Sequence, residues 1–191
     1  MVLPIYLYGS DVLREEAEEI ENNSEALQTL IDNMLETMHG AAGIGLAGPQ
    51  VGQLVRLFVV DLEPLRDDLE EDGEEIPPQP MVFINPEIVD ESQDIVAFEE
   101  GCLSIPDIRY DIDRPSVVTV EYLDREFNEQ RLTAKGMLAR VIQHEYDHVE
   151  GVLFVDYLSS FKRKLLARRL RDISAGAVES DYPVLAPLKM A

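Results

Sequence analysis

Cysteine, histidine, positive charge and long apolar runs are all scarce in this sequence. A single cysteine, Cys102, excludes a framework of internal disulfide bonds. No apolar stretch approaches the roughly 20 residues that a membrane-spanning helix needs. Residues 1–4 lack the basic and apolar regions of a signal peptide. These absences predict a cytoplasmic protein with no membrane partner.

The charge is strongly negative and unevenly placed. Lysine and arginine total 16 against 38 aspartate and glutamate residues, which gives a formal net charge of −22. A field of this sign repels phosphate backbones, so we expect no sequence-specific binding of nucleic acid. Basic residues nevertheless gather at 162–171, and this basic cluster is a separate feature of the surface.

The 191 residues are enough for one domain with a substantial core. Neither an internal repeat nor a shift in composition divides the range 1–191, which we therefore treat as a single domain. Two segments are expected to lack regular structure. They are an acidic, proline-rich loop insertion at 62–80 and an irregular tail at 174–191.

Hydrophobic periodicity predicts three helices and several short strands. Ser24 is a candidate N-cap for a helix that ends at Gly40. A second helix runs from Gly136 to about Gly151, and a third covers 161–173. Strand patterns occur at 54–61, 81–84 and 88–98, and in a hairpin at 116–134. Together they indicate an α+β fold of mostly antiparallel strands packed around a central helix, with an N-terminal and a C-terminal helix.

The central helix carries an H-E-x-x-H motif, residues 144–148. Residues four apart on a helix share one face, so His144 and His148 can reach one metal ion while Glu145 borders the same site. Such a motif is typical of hydrolases in which the carboxylate handles a metal-bound water. The alternative is a helix end with two solvated histidines, but the apolar run at 137–143 favours a buried helix.

A site of this kind needs a third protein ligand. Phe154 occupies the position at which the extended zinc-protease motif has its third histidine, and His39 lies at a predicted helix end. The following helix is basic and offers only Asp172, at its end. Cys102 lies in a turn bounded by glycine and proline, and a thiolate with two imidazoles would leave one coordination position open for water. A small buried cysteine is the alternative reading.

A glycine-rich segment at 43–48 spells G-x-G-x-x-G. Dinucleotide binding requires a strand before this motif and a helix after it, whereas here the predicted order is reversed. We therefore reject dinucleotide binding. We expect either backbone that another group approaches closely or a plain tight loop.

Three segments together resemble the signatures of the peptide deformylase family. They appear in the family's order: GIGLAGPQ at 43–50, EGCLS at 100–104 and QHEYDH at 143–148. The likeness covers roughly residues 1–172. Gly48 departs from it, because the family usually has alanine there. The resemblance implies a metallohydrolase that removes the formyl group from the N-terminal formylmethionine of nascent polypeptides. A zinc endopeptidase and a non-enzymatic metal-binding protein are the competing classes.

The resemblance also implies the roles of individual residues. Cys102, His144 and His148 would hold one divalent ion, Fe²⁺ in the first place, with Zn²⁺, Ni²⁺ or Co²⁺ able to substitute. Glu145 would be the general base. The remaining residues fall into two groups. The amide of Gln50 and the backbone N–H of Leu103 would donate to the formyl oxygen. The substrate would contact Gly45 and a methionine pocket whose candidate wall is Ile44, Leu103, Met137 and Val141, with ordinary core packing as the alternative for the last two.

Three further expectations concern charged groups. The basic helix at 161–172 resembles the C-terminal helix by which bacterial members dock on the ribosome. Its alternative is a solvated face over an apolar stripe packed in the core. Glu100 is expected to pair with Arg114 and so to fix the turn at Cys102. Arg140 is expected either to contact the peptide or to be exposed.

Overall fold

The computed structural model describes residues 1–187. Its helices are α1 (Glu25–Gly40), α2 (Arg66–Glu71), α3 (Gly136–Val149) and α4 (Ser160–Ser174). Its strands are β1 (Ile5–Tyr6), β2 (Gly45–Ala47), β3 (Leu57–Val60), β4 (Met81–Glu91), β5 (Ile95–Cys102), β6 (Ile105–Pro115), β7 (Val117–Leu123), β8 (Glu129–Lys135) and β9 (Val184–Leu185). Across the described range, no helix combines the length and apolar character needed to cross a membrane.

Antiparallel pairing dominates the strands. A five-stranded sheet has the order β2-β3-β4-β7-β8, and β5 forms a separate hairpin with β6. The short strands β1 and β9 pair in parallel. The α+β fold class predicted from the sequence is therefore confirmed.

The five-stranded sheet separates two apolar layers. Side chains alternate across a strand, so successive residues of β3 face opposite sides. Leu57 and Val59 pack in one buried cluster with Ile31 of α1, while Phe58 and Val60 pack in another with Ile142 of α3. The strand is consequently buried on both faces, which explains why its sequence is apolar without alternation.

The N-terminal helix begins and ends as the sequence predicts. The Ser24 side chain accepts a hydrogen bond from the Leu27 N–H at 3.2 Å and so satisfies one of the free donors of the first turn. Met34 and Met38 on the apolar stripe are fully buried. The helix ends at Gly40, and its C-terminus leads directly into the glycine-rich segment.

The acidic segment 62–80 is more ordered than the sequence predicts. The prediction of an exposed loop is wrong for 66–71, which form α2. Leu62 and Leu69 are buried, and Leu65 packs against the same cluster. These leucines recur at intervals of three and four residues, a helical period that the surrounding carboxylates obscure.

The tail at 174–191 also contains regular structure where an irregular chain is predicted. Ser174 is the last residue of α4, and β9 pairs with β1. The Ile5 N–H donates to the Pro183 carbonyl at 2.9 Å, so the chain returns to the N-terminal strand. Residues 188–191 lie outside the described range.

The third predicted helix is present as α4, but its apolar stripe packs differently. Phe161 and Leu165 are 70% and 64% exposed, whereas Leu170 and Ile173 are buried. A fully core-packed stripe is therefore wrong for the first half of the helix. The helix is anchored in the core mainly by its second half.

Candidate metal centre

A cysteine and two histidines meet between the β5–β6 hairpin and α3. Cys102 ends β5, and His144 and His148 lie one turn apart on α3. One ligand atom from each of the three side chains falls within 4.8 Å of the other two. The Cys102 Sγ lies 3.3 Å from the His148 Nε2. Three donors this close can share one ion after small side-chain adjustments, since Cys and His ligands bind at about 2.0–2.3 Å.

The hairpin aims the cysteine at the helix. Strands β5 and β6 pair in regular register up to Gly101, where the register shifts, and Cys102 then pairs with Ile105 across a two-residue turn. A register shift of this type bends a strand and re-aims the side chain beside it. The expectation that Cys102 occupies a sharply shaped turn is in accord with this geometry.

Glu100 orients the first histidine. Its Oε2 lies 2.8 Å from the His144 Nδ1, which leaves the Nε2 on the other side of the ring for a ligand. Arg114 binds the same carboxylate through Nε at 2.6 Å and Nη2 at 3.0 Å, so the predicted Glu100–Arg114 pair is present. Arg140 adds a third contact at 2.8 Å. Arg140 is buried, so exposure, one of its two predicted alternatives, is wrong, and contact with the peptide stays a prediction.

The environment keeps Glu100 ionised. Burial alone would raise its pKa, but the hydrogen bonds from His144 and Arg114 outweigh burial and hold the pKa well below the usual range. Arg114 also donates to Asp147 at 2.8 Å. The Tyr157 hydroxyl donates to the same carboxylate at 3.1 Å. Charged groups thus support the helix face that carries the two histidines.

Glu145 is a buried carboxylate with unused hydrogen-bonding capacity. Its side chain faces the cleft beside the metal-ligand trio, and its Oε2 has no hydrogen-bond partner among the described residues. Burial raises its pKa to about 7. A carboxyl group of this kind can hold or release a proton near neutral pH.

The donor set suits a cation. Burial lowers the pKa of His148, which favours the neutral imidazole that binds metals. Burial acts in the same direction on His144, but its hydrogen bonds with Cys102 and Glu100 outweigh it and raise the pKa. The same anionic groups beside the ring would favour a divalent cation in place of a proton on its Nε2. A thiolate, two imidazoles and a buried carboxylate with a free oxygen together fit a divalent ion and its water.

The glycine-rich segment lies against this site. A Cβ added at Gly45 would lie 2.8 Å from the Glu145 Cδ, and one added at Gly43 would lie 2.8 Å from the Leu103 Cδ1. At Gly48 a Cβ would meet the Gln53 and Val55 carbonyl oxygens at 2.8 Å. Close approach, the first of the two readings of this segment, is therefore the correct one. Gly48 is thus tightly enclosed by backbone.

The Gln50 side chain points into the same site. It is buried, and its Oε1 accepts a hydrogen bond from the Ala47 N–H at 2.8 Å. That contact directs Nε2 toward the turn, where it lies 3.3 Å from the Ser104 Oγ and 3.5 Å from the Cys102 Sγ. The amide is thus oriented as a donor beside the candidate metal ligands.

A cleft of about 520 Å³ opens onto these groups. Its lining includes every residue for which the sequence predicts a substrate or catalytic role: Ile44, Gly45, Gln50, Leu103, Met137, Val141 and Glu145. His148, next to Cys102 in the ligand trio, is not one of the lining residues. Leu65 from the acidic segment and Tyr182 from the tail are among the lining residues that were not predicted from the sequence. The leucine spacing could have indicated Leu65, whereas no local signal indicates Tyr182.

The acidic segment also caps the helix that carries the histidines. The Glu74 Oε2 accepts a hydrogen bond from the Met137 N–H at 2.9 Å, in the first turn of α3. Negative charge at this end of a helix is favourable because it pairs with the free N–H groups and the positive end of the helix dipole. The preceding residue, Gly136, has a φ of +57°, a conformation that favours glycine.

A family model, a relative and two solved structures indicate the same family for this chain. The family model described as polypeptide deformylase matches residues 2–164. A peptide deformylase of Salinibacter ruber is 62% identical over 185 residues, which cover 97% of this chain and 95% of the relative. A crystal structure of the peptide deformylase from Ehrlichia chaffeensis is 39% identical with a TM-score of 0.83 and covers 93% of this chain and 99% of its own. A crystal structure from Synechococcus elongatus, in complex with actinonin, is 41% identical with a TM-score of 0.78 and covers 95% and 92%.

Proposed function

The chain belongs to the polypeptide deformylase family, whose members remove the formyl group from the N-terminal methionine of nascent peptides, and on that premise we propose how its residues act. Cys102, His144 and His148 hold one divalent metal ion. Glu145 is the general base, and Gln50 and Leu103 donate hydrogen bonds to the formyl oxygen.

The native ion in this proposal is Fe²⁺, with Zn²⁺, Ni²⁺ or Co²⁺ able to replace it. Imidazole and thiolate ligands suit these metals better than Mg²⁺ or Ca²⁺, which prefer oxygen. When bound, such an ion supplies activation of a water molecule by lowering its pKa toward neutrality. Glu100 sets the His144 ring for this task through the Nδ1 contact at 2.8 Å.

Glu145 moves the proton. With a pKa near 7, its carboxylate takes a proton from the attacking water and delivers it to the departing amine. The C–N bond of the formamide then breaks, and formate and a free N-terminal methionine are released. Gly45 makes this placement possible, because a side chain at position 45 would occupy the space of the Glu145 carboxylate.

Gln50 and Leu103 stabilise the charge that develops during attack. Water adding to the formyl carbon leaves negative charge on the formyl oxygen, and preorganised donors lower the free energy of that state. The Gln50 Nε2 already faces the Cys102 Sγ at 3.5 Å. The backbone N–H of Leu103, the residue after that cysteine, is the second donor.

Apolar residues select methionine. Ile44, Leu103, Met137 and Val141 line the cleft next to His144 and Glu145. Met137 and Val141 lie seven and three residues before His144 on α3, so they share its face. Burying an unbranched thioether against such side chains is favourable through the hydrophobic effect.

The observation that carries the proposal is the buried Glu145 carboxylate beside the cysteine and two histidines. A structural metal site would require a fourth protein ligand rather than an adjacent base. Phe154 is buried and packs 6.1 Å from the His144 ring, where the extended protease motif places a histidine. The site is therefore built for hydrolysis with three protein ligands.

The test is formate release from a formyl-Met dipeptide by the protein loaded with Fe²⁺ or Ni²⁺ without oxygen. An unformylated peptide serves as the substrate for the endopeptidase alternative. We expect formate from the first and no internal cleavage of the second. Internal cleavage without formate would reassign the enzyme to the peptidases. If neither formate nor a cleaved peptide is detected, the non-enzymatic metal-binding protein is the remaining alternative.

We also propose that the enzyme works in the cytoplasm, on nascent chains, and docks on the ribosome through α4. The basic cluster there includes Lys162, Arg163 and Lys164, all exposed, beside the exposed side chains of Phe161 and Leu165. The overall charge of −22 repels ribosomal RNA, so attraction must come from this local face.

Co-sedimentation with ribosomes at rising salt tests the docking. Replacing Lys162, Arg163 and Lys164 by glutamine should abolish binding at low salt while formate release from a dipeptide stays unchanged. Equal binding by the triple variant, or no binding by the unaltered protein at low salt, would remove α4 as the docking element.

A further inference from the structure

The carboxyl-terminal segment reaches the active-site turn. Tyr182 lies just before β9, and its hydroxyl donates to the Leu103 carbonyl oxygen at 2.8 Å. Both residues also pack against the same apolar cluster, which includes Met38 of α1. The matched family segment ends at residue 164, so Tyr182 lies beyond it.

The turn needs such a partner. Leu103 and Ser104 are the two central residues between β5 and β6, so the peptide group that joins them stands outside the strand ladder. Its carbonyl oxygen is left to find a hydrogen bond elsewhere. Tyr182 supplies that bond from a residue 79 positions away in the sequence.

A second contact holds the other side of the turn. The Tyr8 N–H donates to the Ser104 carbonyl at 2.9 Å. The two ends of the chain are tied together as well, because the Ile5 N–H donates to the Pro183 carbonyl at 2.9 Å. The β1–β9 pair therefore forms a support from which both termini reach the Leu103-Ser104 turn.

Tyr182 is itself held in place locally. The Ser180 hydroxyl donates to the Tyr182 carbonyl oxygen at 3.0 Å, and the Ser180 Oγ accepts from the Tyr182 N–H at 3.3 Å. On its other side, Pro183 is bonded to β1. The ring is half-buried at the edge of the cleft. A donor fixed on both sides can restrain the turn rather than follow its motion.

We propose that Tyr182 is a positioning residue that sets the Leu103-Ser104 turn so that the Leu103 N–H is aimed at the formyl oxygen. The inference rests on the proposed role of Leu103. Since Tyr182 does not touch the reacting atoms, its loss lowers the rate of the chemical step and leaves substrate binding nearly unchanged.

The test compares Tyr182→Phe with Tyr110→Phe in the full-length metal-loaded enzyme. Each change removes one phenolic oxygen, and Tyr110 is a partly buried tyrosine on β6 that lies beneath Lys162. We expect Tyr182→Phe to lower kcat about three- to tenfold with KM within about twofold, the size of one modest hydrogen bond. Tyr110→Phe should keep both constants.

Metal content and thermal unfolding separate positioning from folding. Tyr182→Phe should bind metal as the unaltered enzyme does and unfold at a similar temperature. A kcat in Tyr182→Phe equal to that of the unaltered enzyme would overturn the inference. Equal losses of kcat in both variants, together with lower unfolding temperatures, would also overturn it. Absence of formate release from the unaltered enzyme would instead refute the proposed function, so the two failures are distinguishable.

Discussion

Glu100 binds the imidazole of His144 with one oxygen, at 2.8 Å from Nδ1, while its other oxygen accepts from two buried arginines. One carboxylate thereby orients a metal ligand and pairs with both Arg114 and Arg140. Glu100 thus links the hairpin that presents Cys102 to the helix that presents the histidines.

Glu100→Gln tests that relationship. The change keeps the shape but removes the carboxylate that binds buried Arg140 and one of the two carboxylates that bind buried Arg114, which keeps Asp147. We expect the free energy of unfolding to fall by about 3–5 kcal/mol. We also expect metal affinity to fall by about 10–100-fold. Denaturant titration and metal competition measure the two effects.

The neighbouring Glu99→Gln is the matched control. Glu99 is exposed, and among residues 1–187 its one ion pair is a 3.8 Å contact with Arg109. A surface pair of this kind contributes little, so metal affinity and stability should stay near those of the unaltered protein. Equal behaviour of the two variants would refute a supporting role for Glu100.

Gly45→Ala tests the close approach between the glycine-rich segment and the general base. The new Cβ would lie 2.8 Å from the Glu145 Cδ, so the carboxylate must move. We expect kcat to fall by at least about tenfold, because a small displacement of a catalytic group is costly. Overpacking should cost about 1–3 kcal/mol of stability.

Gly40→Ala serves as its control. A Cβ at Gly40 meets nothing within 4 Å, and the residue is the last of α1. Its kinetics and unfolding should match the unaltered enzyme. Full activity in Gly45→Ala would show that Glu145 does not depend on this space.

Gln50→Leu removes the proposed side-chain donor to the formyl oxygen. The buried position accepts an apolar group of similar size, so the fold should persist with a modest loss of stability. We expect kcat to fall on the order of 10²–10³-fold with a small change in KM, as when one such donor is lost elsewhere. The exposed Gln53→Leu should show neither effect. A change confined to KM would assign Gln50 to binding.

Glu74→Ala tests the cap on α3. Losing the bond to the Met137 N–H should lower the free energy of unfolding by about 0.5–2 kcal/mol, measured by denaturant titration. Glu75→Ala, an exposed neighbour, should change it by less. If both variants unfold alike, the acidic segment does not stabilise the helix.

The sequence predicted what depends on local spacing. Helical geometry alone places His144 and His148 on one face of α3 and makes Ser24 the cap of α1. Both features are present. Cys102 followed from elimination among few candidate ligands. These features need no knowledge of how distant segments meet.

What the sequence could not predict depends on contacts between distant residues. Arg140 is buried because distant residues accept hydrogen bonds from its guanidinium: the Glu100 carboxylate, 40 positions away, and the Val96 and Ile112 carbonyl oxygens. The Leu103–Tyr182 bond joins positions 79 apart, and a tyrosine in a proline-containing tail carries no pattern that would indicate it. The helical spacing of the leucines in 62–69 was also not recognised, because the many acidic residues around them are typical of a solvated loop.

The central claim is that Glu145 performs the proton transfer at a site whose metal is held by Cys102, His144 and His148. Glu145→Gln keeps the side-chain shape and removes the base. The most direct test measures formate release by this metal-loaded variant together with the amount of metal that it binds. We expect full metal content with kcat lowered by about 10²–10⁴-fold, while the Glu129→Gln variant, changed at an exposed residue, stays active. Near-normal turnover by Glu145→Gln with full metal content would contradict it.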